Sequence, residues 1–217
     1  MIIIITNEDP NIVNSLNNVC KSLDVLKIPY EIVGECRQDI TKRKDICGLI
    51  FPGRRSRILP YRIQERLDLE IFYLCHFPKT PILGLCHGCQ FLMLFYGGEI
   101  IIHNTYWIRS TNIELDTSKK TIFSNEERNQ KLYVHFHDLP VVTPKASKAG
   151  VREIAWITKF RDGKRRACAF EFEKDRVFGF MFHPEINEKT YNIIYNFYHI
   201  VCRGSLTASA SSSSSSS

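Results

Sequence analysis

One segment near the middle of the chain constrains the fold more than any other. Residues 81–85 are a short apolar run typical of a buried strand, and they lead directly into Cys86 and then into a helix-compatible segment at residues 91–96. A strand that turns this sharply into a helix brings together the positions two before and two after the turn residue, where side chains would collide. Those two positions are Gly84 and Gly88. The segment therefore predicts a nucleophile elbow with Cys86 at its tip.

The rest of the first half alternates between strand and helix patterns. Residues 2–5 are a continuous isoleucine run, which is typical of a strand buried on both faces of a parallel sheet. We therefore predict an α/β fold in which three layers form around an open, mainly parallel sheet. The next predicted elements are a helix starting at Asp9 and Pro10, strands at residues 30–33 and 46–51, and a helix with an apolar stripe at Ile63, Leu67, Ile71 and Leu74.

The second half predicts an added antiparallel portion of the sheet, because it is rich in short alternating runs. We assign residues 1–204 to one domain. Residues 205–217 are rich in Ser and Ala, and we predict that they form a disordered tail. The alternating runs lie at residues 112–115, 132–136, 151–157 and 167–172, and a last apolar strand at residues 177–182 precedes a closing helix.

Composition excludes several classes of protein. The chain has 29 Lys plus Arg against 23 Asp plus Glu, and a net charge of +6 is too small and too dispersed to indicate nucleic-acid binding. The N-terminus carries no basic leader, and its isoleucine run is too short for a signal peptide or a membrane span. We therefore expect a cytoplasmic protein with no membrane or nucleic-acid partner, whose eight cysteines are free thiols.

A second chemical signal lies near the end of the chain. A thiol nucleophile needs a base, and the base needs a group that orients it. His183 and Glu185 follow the last predicted strand and are two residues apart in an extended stretch, so both side chains point to one side. At the elbow, the positive end of the helix stabilises a thiolate on Cys86, and the backbone N–H of His87 points to where an oxyanion would develop. Together these residues predict a Cys-His-Glu triad.

Two motifs of the chain together resemble a known family. Residues 84–90, continuing to residues 96–100, form the first motif, and residues 178–185 form the second. Both are similar to the class I, triad-type glutamine amidotransferases, and most like the glutaminase domain of GMP synthetase. The resemblance spans residues 1–204 and implies a flavodoxin-like fold.

The resemblance also implies an activity. In this interpretation Cys86 attacks the side-chain amide of glutamine, His183 shuttles protons and Glu185 orients His183. A γ-glutamyl thioester forms and ammonia is released. Gln90 matches the family residue that helps to bind the substrate glutamine.

The main departure from the family pattern is the loop that follows the strand at residues 46–51. In the family, a Gly-rich loop at this place supplies the second oxyanion donor, and the matching backbone N–H groups here belong to Gly53 and Arg54. Arg54 and Arg55 stand where related nucleotide-pathway proteins usually carry Gly and Pro. Removing one oxyanion donor raises the barrier by about 2.7 to 4 kcal/mol, so a misplaced loop would leave the isolated protein nearly inactive.

His137 is a further predicted substrate-binding residue. With Asp138 it resembles the family's Ser-His-x-Asp stretch beside the glutamine pocket, although the spacing is one residue short. We give His137 a supporting role. The neighbouring His135 is more simply interpreted as a surface or core histidine.

Other site chemistries fit the sequence less well. Cys86 and Cys89 form a C-x-x-C pair, but a thioredoxin-like redox site requires neither the elbow glycines nor a downstream His-Pro-Glu, and Cys89 is better interpreted as a packed side chain. A structural zinc site lacks a second close-spaced ligand pair. The basic clusters are typical of solvated faces. The one that contains Arg54 and Arg55 lies beside the predicted site and is a candidate contact for an acidic partner or a substrate carboxylate.

We therefore expect an enzyme that hydrolyses glutamine without a metal or other cofactor. No phosphate-binding Gly-x-x-x-x-Gly-Lys loop is visible, so ATP-dependent use of the ammonia would require a separate synthetase subunit such as GMP synthetase. Two alternatives stay open at this point. One is a stand-alone hydrolase of other γ-glutamyl amides, and the other is a non-catalytic regulatory domain that kept the fold.

Overall fold

The computed structural model describes residues 1–6, 14–54, 67–118, 122–124, 126, 128–160, 162–174 and 176–203. Its strands are β1 (Ile2–Ile5), β2 (Tyr30–Val33), β3 (Gly48–Phe51), β4 (Ile82–Leu85), β5 (Glu99–Leu115), β6 (Asn129–Val141), β7 (Arg152–Ile157), β8 (Arg166–Glu173) and β9 (Val177–Phe180). Its α-helices are α1 (Asn14–Val25), α2 (Gln38–Thr41), α3 (Asp68–His76), α4 (His87–Phe95), α5 (Pro144–Lys148) and α6 (Tyr191–Asn196). A 3₁₀ turn (Glu188–Thr190) precedes α6, and a π-helical segment (Phe197–Cys202) follows it.

Across the described part of the chain, nine strands form one sheet in the order β2-β1-β3-β4-β9-β8-β7-β5-β6. The strands from β2 to β9 in this order are parallel, and the remaining strands join them in antiparallel pairs. Every residue of β1, β3, β4 and β9 is buried, because helices cover both faces of a parallel sheet. The predicted α/β fold with an added antiparallel portion is confirmed.

The antiparallel strands are longer than the sequence pattern indicates. The alternating runs predict strands at residues 112–115 and 132–136, whereas β5 and β6 form a long ladder that extends to the pair Glu99 and Val141. The register shifts between Ile102 and Trp107, which marks a bulge. Backbone pairing along such a ladder holds residues in a strand even where the side chains do not alternate, so the sequence pattern marks only part of it.

Several predicted elements lie partly or wholly outside the described residues. These are the helix start at Asp9 and Pro10, the part of the second predicted helix that contains Ile63, and the Ser-rich tail at 205–217. Two short helices, α2 and α5, were not predicted, although α5 starts with a Thr143 cap and Pro144, which is a helix-start pattern. None of the helices in the described ranges is long and apolar enough to cross a lipid bilayer.

Candidate active site

Three neighbouring strand ends meet at one edge of the sheet and bring the predicted catalytic residues together. In the parallel register Phe51 of β3 lies beside Gly84 of β4, and Leu85 lies beside Phe180 of β9. The residues that follow these strands are therefore neighbours, as at the carboxyl edge of other open α/β sheets. Cys86 follows β4, and its N–H donates to the carbonyl of Phe180 at 2.7 Å.

The elbow at Cys86 has the geometry that the glycine spacing predicts. Cys86 has φ 50° and ψ −100°, which lies outside the common conformations of a residue with a side chain. A Cβ on Gly88 would lie 2.1 Å from the carbonyl oxygen of Phe51, and a Cβ on Gly84 would lie 2.7 Å from the backbone of Gly88. The glycines therefore allow β3, β4 and the start of α4 to approach closely enough to hold Cys86 in this strained conformation.

The structure brings His183 and Glu185 together with Cys86. The imidazole of His183 interacts with the side chain of Cys86, and its Nδ1 lies 2.7 Å from Oε1 of Glu185. His183 and Glu185 are both buried, as the site of a water-sensitive proton transfer requires. The two residues follow β9, which is the sheet neighbour of β4. The chain of contacts runs in the order that a nucleophile, its base and the orienting carboxylate require.

The surroundings of His183 favour its protonated form. Burial alone lowers the pKa of an imidazole, but here the carboxylate of Glu185 and the hydrogen bonds to Cys86 and Glu185 outweigh burial and raise the pKa of His183 well above its ordinary value. A raised pKa makes the ring of His183 a stronger acceptor for a proton from a group beside it.

Ser15 is a part of this site that no sequence pattern singles out. It lies in the first turn of α1, and its hydroxyl donates to Oε1 of Glu185 at 3.3 Å. A Cβ on Gly53 would lie 2.7 Å from the same Ser15 Oγ. Ser15 therefore fills the space between the orienting carboxylate and the loop after β3. A single serine in a polar helix start has no sequence signature, and only the spatial proximity identifies it.

The loop after β3 lies beside Cys86, as predicted. A Cβ on Gly53 would lie 3.5 Å from Cβ of Cys86, so the backbone of this loop faces the nucleophile. On the other side of Cys86, His87 begins α4 and is buried. Burial, with a further contribution from the nearby charge of Arg54, lowers the pKa of His87 to about 3, so its ring is neutral at physiological pH. The backbone N–H groups of His87, Gly53 and Arg54 thus come from two segments that flank the sulfur.

The side chain of Arg54 corrects one sequence interpretation. In the sequence, Arg54 belongs to a basic cluster. We interpret such clusters as solvated faces, and this one also as a candidate contact for an acidic partner or a substrate carboxylate. In the structure its guanidinium turns inward and forms an ion pair with Glu70 in the first turn of α3, and the two side chains are 4% and 2% exposed. Arg55 and Arg57 lie outside the described residues. The charge of Arg54 is therefore paired with a buried carboxylate and does not face the solvent.

The remaining predicted residues have mixed outcomes. Gln90 lies one turn after Cys86 on α4 and is buried, and its backbone N–H donates to the Cys86 carbonyl. The backbone of His137 lies in β6, but its side chain is outside the described residues, so its predicted contact with substrate stays a prediction. Cys89 is fully buried against Gly179, as expected for a packed thiol. Among the described residues no group of three or more metal-binding side chains comes together.

Comparison with known proteins identifies relatives of this chain. The profile of the family described as Glutamine amidotransferase class-I matches residues 11–201. Among curated proteins, the chain is 28% identical to a GMP synthase [glutamine-hydrolyzing] of Clostridium perfringens over 163 residues, which covers 74% of this chain and 29% of that protein. The chain spans about three tenths of the length of the curated relatives it matches.

Solved structures show the same fold. A protein from Thermoplasma acidophilum, described as a putative subunit of GMP synthase, matches with a TM-score of 0.74 at 20% identity, and the match covers 96% of each chain. PurLQS from Thermotoga maritima matches with a TM-score of 0.65 at 17% identity, over 91% of this chain and 96% of the other. Both likenesses extend across the parallel and the antiparallel portions of the sheet.

Proposed function

This chain belongs to the glutamine amidotransferase class-I family, and we propose from that premise that it hydrolyses the side-chain amide of glutamine to glutamate and ammonia. The proposed catalytic triad is Cys86, His183 and Glu185. The observation that carries the proposal is the continuous contact from the strained elbow cysteine through the imidazole to a buried carboxylate. This order of groups is what activation of a thiol nucleophile requires.

The first half of the reaction forms a thioester. His183 takes the proton of the Cys86 thiol, and the sulfur attacks the carbonyl carbon of the glutamine side chain. The carbonyl oxygen becomes an oxyanion. When it collapses, His183 gives its proton to the departing nitrogen, so that ammonia leaves and a γ-glutamyl thioester stays on Cys86. Glu185 holds the ring in position and stabilises the imidazolium throughout.

The oxyanion is proposed to be held between two backbone segments. The N–H of His87 at the start of α4 supplies one donor, and an N–H of Gly53 or Arg54 supplies the other. In the second half of the reaction, His183 removes a proton from water, and the water oxygen attacks the thioester carbon. The same donors stabilise the second oxyanion, and glutamate leaves as the thiol of Cys86 is restored. Gln90, one turn along the helix, is proposed to contact the bound glutamine.

We propose that the ammonia serves an ATP-dependent synthetase, with GMP synthesis as the first candidate. The support is that the curated relatives are named GMP synthase [glutamine-hydrolyzing]. A synthetase that accepts ammonia as its nitrogen donor would use the product of this reaction.

The proposal is tested most directly at Cys86. A chloroketone analogue of glutamine should alkylate its sulfur, displacing chloride, and mass spectrometry of the digested protein should place the adduct on residue 86. Cys86→Ser should abolish glutamate formation and the adduct. Cys75→Ser is the matched control, since Cys75 is exposed on α3, and it should change neither.

The outcomes separate the candidate functions. Glutamate formation that rises when the ATP-dependent synthetase chain of a GMP synthetase is added supports the synthetase assignment. Turnover of γ-glutamyl peptides with no response to that chain would replace it with a stand-alone hydrolase. Absence of both the adduct and glutamate formation, with and without the synthetase chain, would reject the catalytic proposal and favour a regulatory domain.

A further inference from the structure

The loop after β3 reaches the nucleophile without the Gly-rich sequence typical of the family, so another feature has to fix its backbone. Gly53 is buried and approaches Cys86, and the next residue is Arg54. As a whole residue Arg54 is partly exposed, yet its side chain is only 4% exposed. The accessible part of Arg54 is therefore its backbone, which directly follows the residue that approaches Cys86.

The buried end of Arg54 is paired with a residue on a separate element. Glu70 lies in the first turn of α3, is 2% exposed and contacts the guanidinium directly. The positive end of the helix favours a carboxylate at this place, so the anchor is held by the helix as well as by the cation. Burial raises the pKa of Glu70, and the charge of Arg54 opposes this. Neither charge is stable there without the other.

The ion pair joins Nη2 of Arg54 to Oε1 of Glu70, and it fixes where the buried end of the Arg54 side chain lies. The backbone of Arg54 is tied to its side chain, so a side chain that is anchored inward limits how the peptide between Gly53 and Arg54 can rotate. His87, whose N–H is the other proposed donor, lies close enough to Arg54 to sense its charge. The ion pair thus lies beneath both halves of the proposed oxyanion site.

We propose that the buried ion pair between Arg54 and Glu70 is a positioning device that holds the loop after β3 with its backbone N–H groups toward the carbonyl oxygen under attack at Cys86. This inference rests on the proposed glutaminase function. Arg54 and Glu70 are positioning residues through their side chains, because neither side chain touches the reacting atoms. The arrangement uses a charge pair where the family typically uses glycines.

The first test compares Glu70→Gln with Glu114→Gln. Glu114 is the matched control, since it is a glutamate paired with Arg128 and Arg165 on the distant antiparallel portion. Glu70→Gln should lower kcat for glutamine by about 10²-fold, the effect of one lost oxyanion donor, with KM changed by less than about threefold. Glu114→Gln should leave both unchanged. Arg54→Lys should retain part of the activity, since it keeps the charge and changes the shape of the cationic group.

A second readout separates positioning from general damage to the site. Alkylation of Cys86 by iodoacetamide forms a C–S bond as iodide leaves and develops no oxyanion. Its rate, followed on the Cys86 peptide by mass spectrometry, should therefore be the same in Glu70→Gln and in the wild type. Loss of alkylation together with loss of hydrolysis would show that the variant disturbs the thiol and its base, and would overturn the proposal.

The double variant Arg54→Met/Glu70→Leu keeps the test valid if single variants fold poorly. Replacing a buried ion pair by apolar side chains of similar volume usually preserves stability. The double variant should unfold at or near the wild-type urea midpoint and still show the loss in kcat. Wild-type kcat in this folded variant would refute the inference. A wild-type protein that forms no glutamate and no chloroketone adduct would instead refute the proposed function.

Discussion

The contact between His183 and Glu185 allows a quantitative prediction for Glu185→Gln. Nδ1 and Oε1 are 2.7 Å apart in a buried site, and at an effective dielectric constant of about 20 two unit charges at that distance attract by about 6 kcal/mol. Desolvation of the imidazolium opposes this attraction, and the raised pKa of His183 shows that the attraction and the hydrogen bonds prevail. Glutamine at position 185 keeps the shape of the side chain and removes the charge.

The loss should fall on kcat. Without the carboxylate the imidazolium is no longer favoured, and the amide of the new side chain can donate to Nδ1 and select the tautomer that cannot take the Cys86 proton. Loss of the orienting carboxylate in a serine protease triad lowers kcat about 10⁴-fold, and we expect a fall of about 10³- to 10⁴-fold here. KM should change little, since Glu185 contacts the ring of His183 and the hydroxyl of Ser15.

The assay is glutamate formation under saturating glutamine, paired with iodoacetamide alkylation of Cys86 at pH 7. Both rates should fall in Glu185→Gln, because both need the thiolate, whereas Glu70→Gln should lose hydrolysis alone. Glu188→Gln is the control, since Glu188 is an exposed glutamate in the 3₁₀ turn that follows. A folded Glu185→Gln protein with kcat within about tenfold of the wild type would refute the role assigned to the carboxylate.

The same contacts support three further predictions. Gly88→Ala should lower the free energy of unfolding by about 3 kcal/mol or more in urea titrations, because its Cβ would lie 2.1 Å from the backbone oxygen of Phe51; a smaller loss would mean that β3 yields easily. Ser15→Ala should lower kcat by about tenfold, since it removes the 3.3 Å hydrogen bond to Glu185, and unchanged kinetics would show that Ser15 only fills space. The contribution of His183 to the free energy of unfolding should be fully present below its unfolded pKa of about 6.5 and should decline as the pH rises through the raised folded pKa. This decline should be absent in His183→Gln, and an identical pH dependence in both proteins would contradict the raised pKa.

The sequence was sufficient to predict the elbow and the proximity of Cys86, His183 and Glu185, because each has a local pattern with a steric or chemical cause. Gly84 and Gly88 flank Cys86 at the spacing that a sharp turn needs, and the structure places backbone atoms where their side chains would be. His183 and Glu185 follow an apolar strand, and their alternation predicts a shared direction. The pairing that makes β9 the neighbour of β4 joins distant parts of the chain, and the local patterns do not contain it.

The parts that could not be predicted depend on side-chain direction across long sequence separations. No sequence pattern links Arg54 with Glu70, its partner in the ion pair. A run of arginines is normally solvated, so the sequence favours an exposed side chain. Ser15 is likewise 170 positions from Glu185. Such contacts arise only when α1, the loop after β3 and α3 are placed over the sheet, so they leave no periodicity in the sequence.

The two sides of the proposed oxyanion site are held by different kinds of contact, and this difference determines where the activity is most sensitive. Cys86 is fixed by the backbone: its N–H donates to Phe180, and the helix that follows it packs directly on the carbonyl of Phe51. In the described part of the loop after β3, Arg54 and Gly53 are instead held through side chains, by the ion pair of Arg54 and the packing of Ser15 against Gly53. Single substitutions in the loop should therefore abolish hydrolysis of glutamine and leave the thiol of Cys86 reactive. Substitutions that make the thiol unreactive should also abolish hydrolysis.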